Sequence, residues 1–211
     1  MALILLIRHG ENDFVGKRLM GRLPGVHLNE RGHQQAAALV ELLAGAPLRA
    51  LYSSPLERTL ETAAPLAVAR GLRVSVSEAL NELDYGAWQG KTLKQLRRMR
   101  LWKVVQDQPD AMRFPGGESF VEAQTRLCTF LDSLAAAQGD EPAVIACFTH
   151  GDMVRLAAAH YLDMPLNSFQ RLSADTASLT ALALGKGRPH LLCLNQVAAL
   201  DWPKPPADGK K

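Results

Sequence analysis

Apolar residues follow two different rhythms along this chain. Leu3–Ile7, Leu48–Tyr52 and Ala143–Phe148 are short runs of mostly apolar residues, the length and composition of strands buried on both faces. Elsewhere the apolar positions recur at helical spacing. Ala36, Leu39, Val40 and Leu43 fall on one face of a helix that Asn29 can cap and that runs toward Ala44. Ser54-Pro55 sets a capping residue before a proline at the first helical position, predicting a helix that continues to about Arg70 and stops at Gly71. Arg73–Val76 reads as a further short strand, and Thr92–Gln106 as a helix. Pro115-Gly116-Gly117 is a turn feeding a helix from Ser119 to Gln138, along which Phe120, Ala123, Leu127, Phe130, Leu131 and Leu134 recur. A helix from Gly151 to Leu162 follows the third apolar run. Ser178–Leu184 and His190–Gln196 flank Gly185–Pro189 as a strand pair.

Strands and helices alternate with no internal repeat and no linker that would divide the chain. The order predicts an α/β fold: one three-layer domain over residues 1–200, with a central, mostly parallel sheet and helices on both faces. Residues 201–211, rich in proline and lysine, are expected to form a flexible tail. At 211 residues, 47% hydrophobic and 21% charged, such a chain buries roughly 70% of its unfolded surface without staples. Cys128, Cys147 and Cys193 are odd in number, widely spaced and set in apolar runs, which suits reduced core thiols and a cytoplasmic setting. The six residues between Met1 and Arg8 are too few for a signal peptide core with its flanks. No run reaches the roughly 20 apolar residues of a membrane helix, so no membrane partner is expected.

Charge narrows the choice of ligand. A net charge of +3 is mild, enough to draw small anions toward a pocket. Nucleic-acid binding calls for a concentrated basic stripe. Arg97, Arg98, Arg100 and Lys103 instead interleave with Leu96, Met99, Leu101 and Trp102, the pattern of an amphipathic helix with a solvated face. Three apolar runs end in abrupt polar switches: Arg8-His9-Gly10-Glu11, then Ser53-Ser54-Pro55-Leu56-Glu57-Arg58, then Thr149-His150-Gly151-Asp152. In parallel sheets, ligands bind beyond the carboxyl ends of the strands. If these strands are parallel, two histidines and two arginines meet on one rim. A glycine follows each histidine, expected to let a ligand approach the backbone. A metal site can be drawn from His9, Glu82, His150 and Asp152, but no close ligand spacing supports it.

These same residues resemble the histidine phosphatase superfamily, also called phosphoglycerate-mutase-like. The resemblance begins at Arg8-His9-Gly10-Glu11 and continues in order through Ser53–Ala63, Leu80–Gly86 and Pro115–Ser119 to Thr149-His150-Gly151. It implies a metal-independent phosphomonoesterase that needs no cofactor and acts on a small phosphate monoester. By the resemblance His9 is the nucleophile, forming a phosphohistidine that water hydrolyses. Arg8, Arg58 and His150 correspond to the phosphate pocket, and Glu82 to the proton donor for the leaving oxygen. A glutamate serves as that donor only when protonated, so a raised pKa is expected there. Gly21 and Arg22 correspond to the substrate entrance. Asn12 stands where relatives often carry Ser or Thr, and its amide can still donate to a phosphate oxygen.

Asp152 is expected to cap the helix beginning near it, or else to orient His150. His27, His33, His160 and His190 lack a motif context and read as surface or satisfied core residues. Mutases of the family usually carry an asparagine at the position of Val15 and an arginine pair that does not align with Arg97-Arg98. A phosphatase is therefore favoured over mutase-type phosphoryl transfer or a non-catalytic phospho-ligand-binding relative. Sugar phosphates, phosphoserine, α-ribazole phosphate and phosphohistidine on a partner are the substrates the resemblance suggests. Specificity is expected from Phe14–Gly25 and Thr92–Gln106. The sequence leaves substrate and oligomeric state open.

Overall fold

The computed structural model describes residues 1–138 and 143–197, so the expected tail lies outside the described residues. Six strands form one sheet: β1 (Ala2–Arg8), β2 (Leu48–Ser53), β3 (Val74–Val76), β4 (Ala143–Thr149), β5 (Leu179–Leu184) and β6 (His190–Gln196). Their order across the sheet is β3-β2-β4-β1-β5-β6. The first four pair in parallel, while β5 runs antiparallel to β1 and β6.

Helices cover both faces. On one side lie α1 (Glu30–Leu42) and α2 (Glu57–Arg70), packed on each other; on the other lie α5 (Phe120–Ala137) and α6 (Gly151–Tyr161), likewise paired. Side chains of a strand alternate between faces, so β1 divides its residues between two cores. Leu5 and Ile7 join Leu39, Ala63 and Leu66, whereas Ile4 and Leu6 join Leu127, Leu131 and Met153. Two-sided burial is why β1 and β4 read as unbroken apolar runs.

Local chemistry accounts for most helix ends. The Asn29 side chain accepts from the Gly32 N–H at 2.9 Å and caps α1. Ser119 caps α5 in a reciprocal box with Glu122. Gly71 ends α2 in the left-handed conformation, φ 61°.

Two expectations need correction. The helix expected to start at Ser54-Pro55 begins at Glu57, behind Leu56 with its extended backbone. The helix expected over Thr92–Gln106 is two: α3 (Leu93–Leu96) and α4 (Arg100–Asp107), separated at an extended Met99. Continuing the face of Leu93 and Leu96 would have turned Arg100 and Lys103 inward. The break resets the phase, so that Leu101, Trp102 and Val105 pack on the core while Arg97, Arg98, Arg100 and Lys103 stay exposed.

Register carries the fold to the site. Arg8 pairs with Thr149 and Ser53 with Phe148, so three strands end level. His9, Ser54 and His150 each lie immediately beyond.

Candidate active site

His9 is held by backbone on both sides. Its N–H donates to the Thr149 carbonyl at 2.9 Å, and the Gly10 N–H donates to Thr62 Oγ1 on α2, also at 2.9 Å. The imidazole Nδ1 stands 2.7 Å from the Gly10 carbonyl. A carbonyl only accepts, so Nδ1 carries the proton and Nε2 keeps its lone pair. Burial, then Arg58 and Arg8, push the His9 pKa well below 6.5. The ring is therefore neutral at pH 7.

His150 stands edge-on to His9, ring centroids 5.3 Å apart, and is fully buried. Arg58 Nη2 lies 3.2 Å from its Nδ1; a guanidinium only donates, so Nδ1 accepts. The other nitrogen, Nε2–H, then donates to Ser54 Oγ at 3.0 Å, and Ser54 donates to Asn81 Oδ1 at 3.0 Å. Asn81 in turn donates to the Glu78 carboxylate. Burial and Arg58 lower the His150 pKa well below 6.5.

Each arginine has one N–H group fixed and another unpaired. Arg8 Nη1 donates to the Ala174 carbonyl at 2.7 Å, and Arg58 Nη2 to the Gly21 carbonyl at 2.7 Å. Arg8 Nε and Arg58 Nη1 are buried with no acceptor. Burial lowers both arginine pKa values, opposed first by the Glu82 charge, and both stay cationic. Unpaired buried cationic donors are costly unless an anion meets them. Here two of them adjoin one neutral imidazole.

Glu82 sits on the segment after β3, its Oε1 accepting from the Leu83 N–H at 3.0 Å. Burial, then the Asp152 charge, raise its pKa from 4.5 to about 7 against the pull of Arg58. Asp152 neither caps α6 nor touches His150. It accepts from the Tyr85 hydroxyl at 2.5 Å and from Arg155 one turn along the helix.

A cavity of about 450 Å³ gathers Arg8, His9, Asn12, Gly21, Arg58 and Glu82, bordered by Phe14, Leu19, Met20 and Leu93. His150 and Arg22 do not line it. Asn12 is buried with Oδ1 accepting from the Phe14 N–H at 3.0 Å, which leaves its NH₂ as the donating end. Arg22 is engaged with the acid's support: Nε donates to the Glu82 carbonyl at 2.8 Å, and Nη2 pairs with Glu118 Oε1 at 2.8 Å. His27, His33, His160 and His190 are all exposed. Among the described residues, no three His, Cys, Asp or Glu side chains form a group that could hold a metal.

The glycines after the histidines answer to packing. A Cβ on Gly10 would meet the Gly32 carbonyl at 2.7 Å, and one on Gly151 would meet Arg8 Nε at 3.1 Å. Each lets a neighbouring group close up, and Gly151 also lines the cavity. Sequence reasoning assigned no role at the site to Asn81 or Arg155. Their signals are local: Asn81 adjoins Glu82, and Arg155 follows Asp152 by three residues on one helix face.

Comparison with known proteins bears on this arrangement. The family model of the histidine phosphatase superfamily (branch 1) matches residues 4–197. The chain belongs to this superfamily. It is 29% identical to phosphoserine phosphatase 1 of Hydrogenobacter thermophilus, over 92% of each chain. It is 32% identical to glucosyl-3-phosphoglycerate phosphatase of Mycobacterium tuberculosis, over 85% of this chain and 84% of that protein. Among solved structures, Bacillus stearothermophilus YhfR superposes with a TM-score of 0.85 at 28% identity, covering 94% of this chain and 98% of that one.

Proposed function

We propose that this protein is a phosphomonoesterase that carries the phosphoryl group on Nε2 of His9. The observation behind the proposal is one juxtaposition: a neutral His9 with its lone pair on Nε2, beside two buried N–H groups of Arg8 and Arg58 that lack acceptors. In the first step the Nε2 lone pair attacks phosphorus, the bond to the leaving oxygen breaks, and protonated Glu82 gives that oxygen its proton. In the second, water attacks phosphorus, the carboxylate of Glu82 takes the water proton, and the P–N bond returns its electrons to Nε2. Charge on the three equatorial oxygens is met by Arg8, Arg58 and the Asn12 amide. His150 holds Arg58 in place from the buried side.

Relatives named for phosphoserine and glucosyl-3-phosphoglycerate support a small phosphorylated substrate. A mutase reading lacks support, since Val15 is apolar and Arg97 and Arg98 are exposed outside the cavity. Buried thiols at Cys128 and Cys147 fit a reducing, cytoplasmic setting, and no helix among the described residues is long and apolar enough to cross a membrane.

The test is hydrolysis of a panel of phosphate monoesters in chelator, with His9→Ala alongside and acid-quenched trapping of labelled phosphate on the protein. Chelator-resistant turnover and trapped phosphate, both abolished in His9→Ala, are expected. Equal turnover in the variant would overturn the proposal.

A further inference from the structure

A second cavity, of about 370 Å³, adjoins the first and shares Leu19, Tyr85, Asp152, Arg155 and Gln170 with it. The rest of its wall is mostly aromatic. Trp88, Phe114 and Phe120 are each 1% exposed, and Trp102 and Val105 enter from α4. The rings are ordered against one another: Trp88 stacks on Trp102 with centroids 6.3 Å apart, and Phe114 packs edge-on against Trp88 at 5.2 Å. Arg155 Cζ lies 5.6 Å over the Phe169 ring.

Two features set this chamber apart from ordinary core. The Trp88 indole N–H is buried without an acceptor, as is Arg155 Nε. A native interior rarely leaves such donors unpaired. Charge is also largely balanced there, Arg155 being paired through Nη2 with Asp152. The side it opens from is chemically defined as well. Tyr85 and Asp152 belong to both cavities, and Asp152 is the charged neighbour that raises the Glu82 pKa. Glu82 faces the leaving oxygen, so the chamber lies on the leaving-group side.

We propose that the chamber is the subsite for the alcohol part of the substrate, and that it takes an uncharged, apolar group packed against Trp102. The inference rests on the phosphomonoesterase reading and names the substrate class. Trp102 is the aromatic wall residue that is only partly buried, and an apolar group packed on it stabilises the transition state as well as the ground state only if it is retained through the step. Small charged alcohols such as serine leave that apolar wall unmet.

The test compares alkyl esters of matched leaving-group reactivity, so that intrinsic lability does not enter. We expect kcat/KM for 2-phenylethyl phosphate to exceed that for ethyl phosphate and phosphoserine by about tenfold or more. Trp102→Ala should erase most of that ratio, by lowering the phenylethyl value more than the ethyl one. Binding is read separately: 2-phenylethylphosphonate, which is not hydrolysed, should change tryptophan emission where inorganic phosphate does not. Turnover of all esters with no phenylethyl preference and no emission change would overturn the subsite and leave the phosphatase intact. An emission change without turnover of any ester would keep the subsite and overturn the phosphatase.

Discussion

At Glu82 the balance of burial, Asp152 and Arg58 leaves a carboxylic acid that titrates near neutrality, with a pKa of about 7. The sign follows directly: the donor form exists below that pH and is lost above it. For an alkyl monoester, whose leaving oxygen needs a proton, kcat is expected to fall as pH rises through about 7. Glu82→Gln should slow that ester by about 10²–10⁴ and remove the alkaline limb. Para-nitrophenyl phosphate should suffer far less, because its phenolate leaves without help. A pH–rate profile of both esters in both proteins checks this; a limb that survives in Glu82→Gln would belong to the substrate instead. Arg58 is a second case decided by atoms. Its Nη2 is spent on Gly21 and His150, and Nη1 remains for phosphate. Lysine has a single ammonium and cannot reach both sets of partners. Arg58→Lys should therefore lower kcat/KM by about 10²–10³, the usual cost of one oxyanion donor, as steady-state kinetics would measure. Equal activity would mean that Nη1 does not meet the phosphoryl group.

Glu82 belongs to a segment with little regular structure, and neighbouring elements clamp its backbone. Arg126 on α5 donates to the Ala79 carbonyl at 2.7 Å and to the Asn81 carbonyl at 3.2 Å, while Arg22 holds the Glu82 carbonyl. Glu118, just ahead of α5, ties the two arginines together, taking Arg126 Nε at 3.1 Å and Nη2 at 3.0 Å and pairing with Arg22. It also accepts from the Asp84 N–H at 3.2 Å. Glu118 is a positioning residue, and its effect should pass through the acid. Glu118→Gln leaves two guanidiniums uncompensated near Glu82, which favours the carboxylate. The alkaline limb for an alkyl ester is expected to move to lower pH, with kcat falling about tenfold and para-nitrophenyl phosphate largely spared. A uniform loss on both esters with an unmoved limb would make Glu118 a fold-stabilising residue only. This clamp was hidden in the sequence because its members are scattered across residues 22, 118 and 126, whereas motif residues within one strand-to-helix switch were legible. The break at Met99 was hidden for a related reason. Amphipathic spacing looks continuous from Thr92 to Gln106 until the core requires Trp102 rather than Lys103 to face inward.

Across the whole molecule, the unbroken apolar runs of β1 and β4 announced a two-sided parallel sheet, and that sheet by itself sets His9 beside His150. The order of strands was not legible, since pairing of β1 with both β4 and β5 rests on contacts distant in sequence. One consequence of the arrangement concerns stability. Packing two imidazoles at the rim, under two guanidiniums, keeps both neutral in the folded chain, their pKa values well below 6.5. In the unfolded chain each takes a proton near that value. As pH falls below about 6.5 the unfolded state binds more protons at these two sites, so their contribution to stability is present above that pH and is lost below it. Each proton of difference costs about 1.4 kcal/mol per pH unit. Glu82 acts in the opposite sense between pH 4.5 and about 7, where the folded chain holds a proton that the unfolded chain releases. The two effects separate by substitution. His9→Asn can keep a donor for the Gly10 carbonyl while removing one titrating ring and leaving Glu82 in place. Urea unfolding of both proteins at pH 8, 6.5 and 5 should show the variant losing less stability than the wild type between 6.5 and 5, by up to about 2 kcal/mol. Parallel losses would mean that His9 gains its proton in the folded chain as readily as in the unfolded one, and a cationic His9 could not serve as the nucleophile at acidic pH.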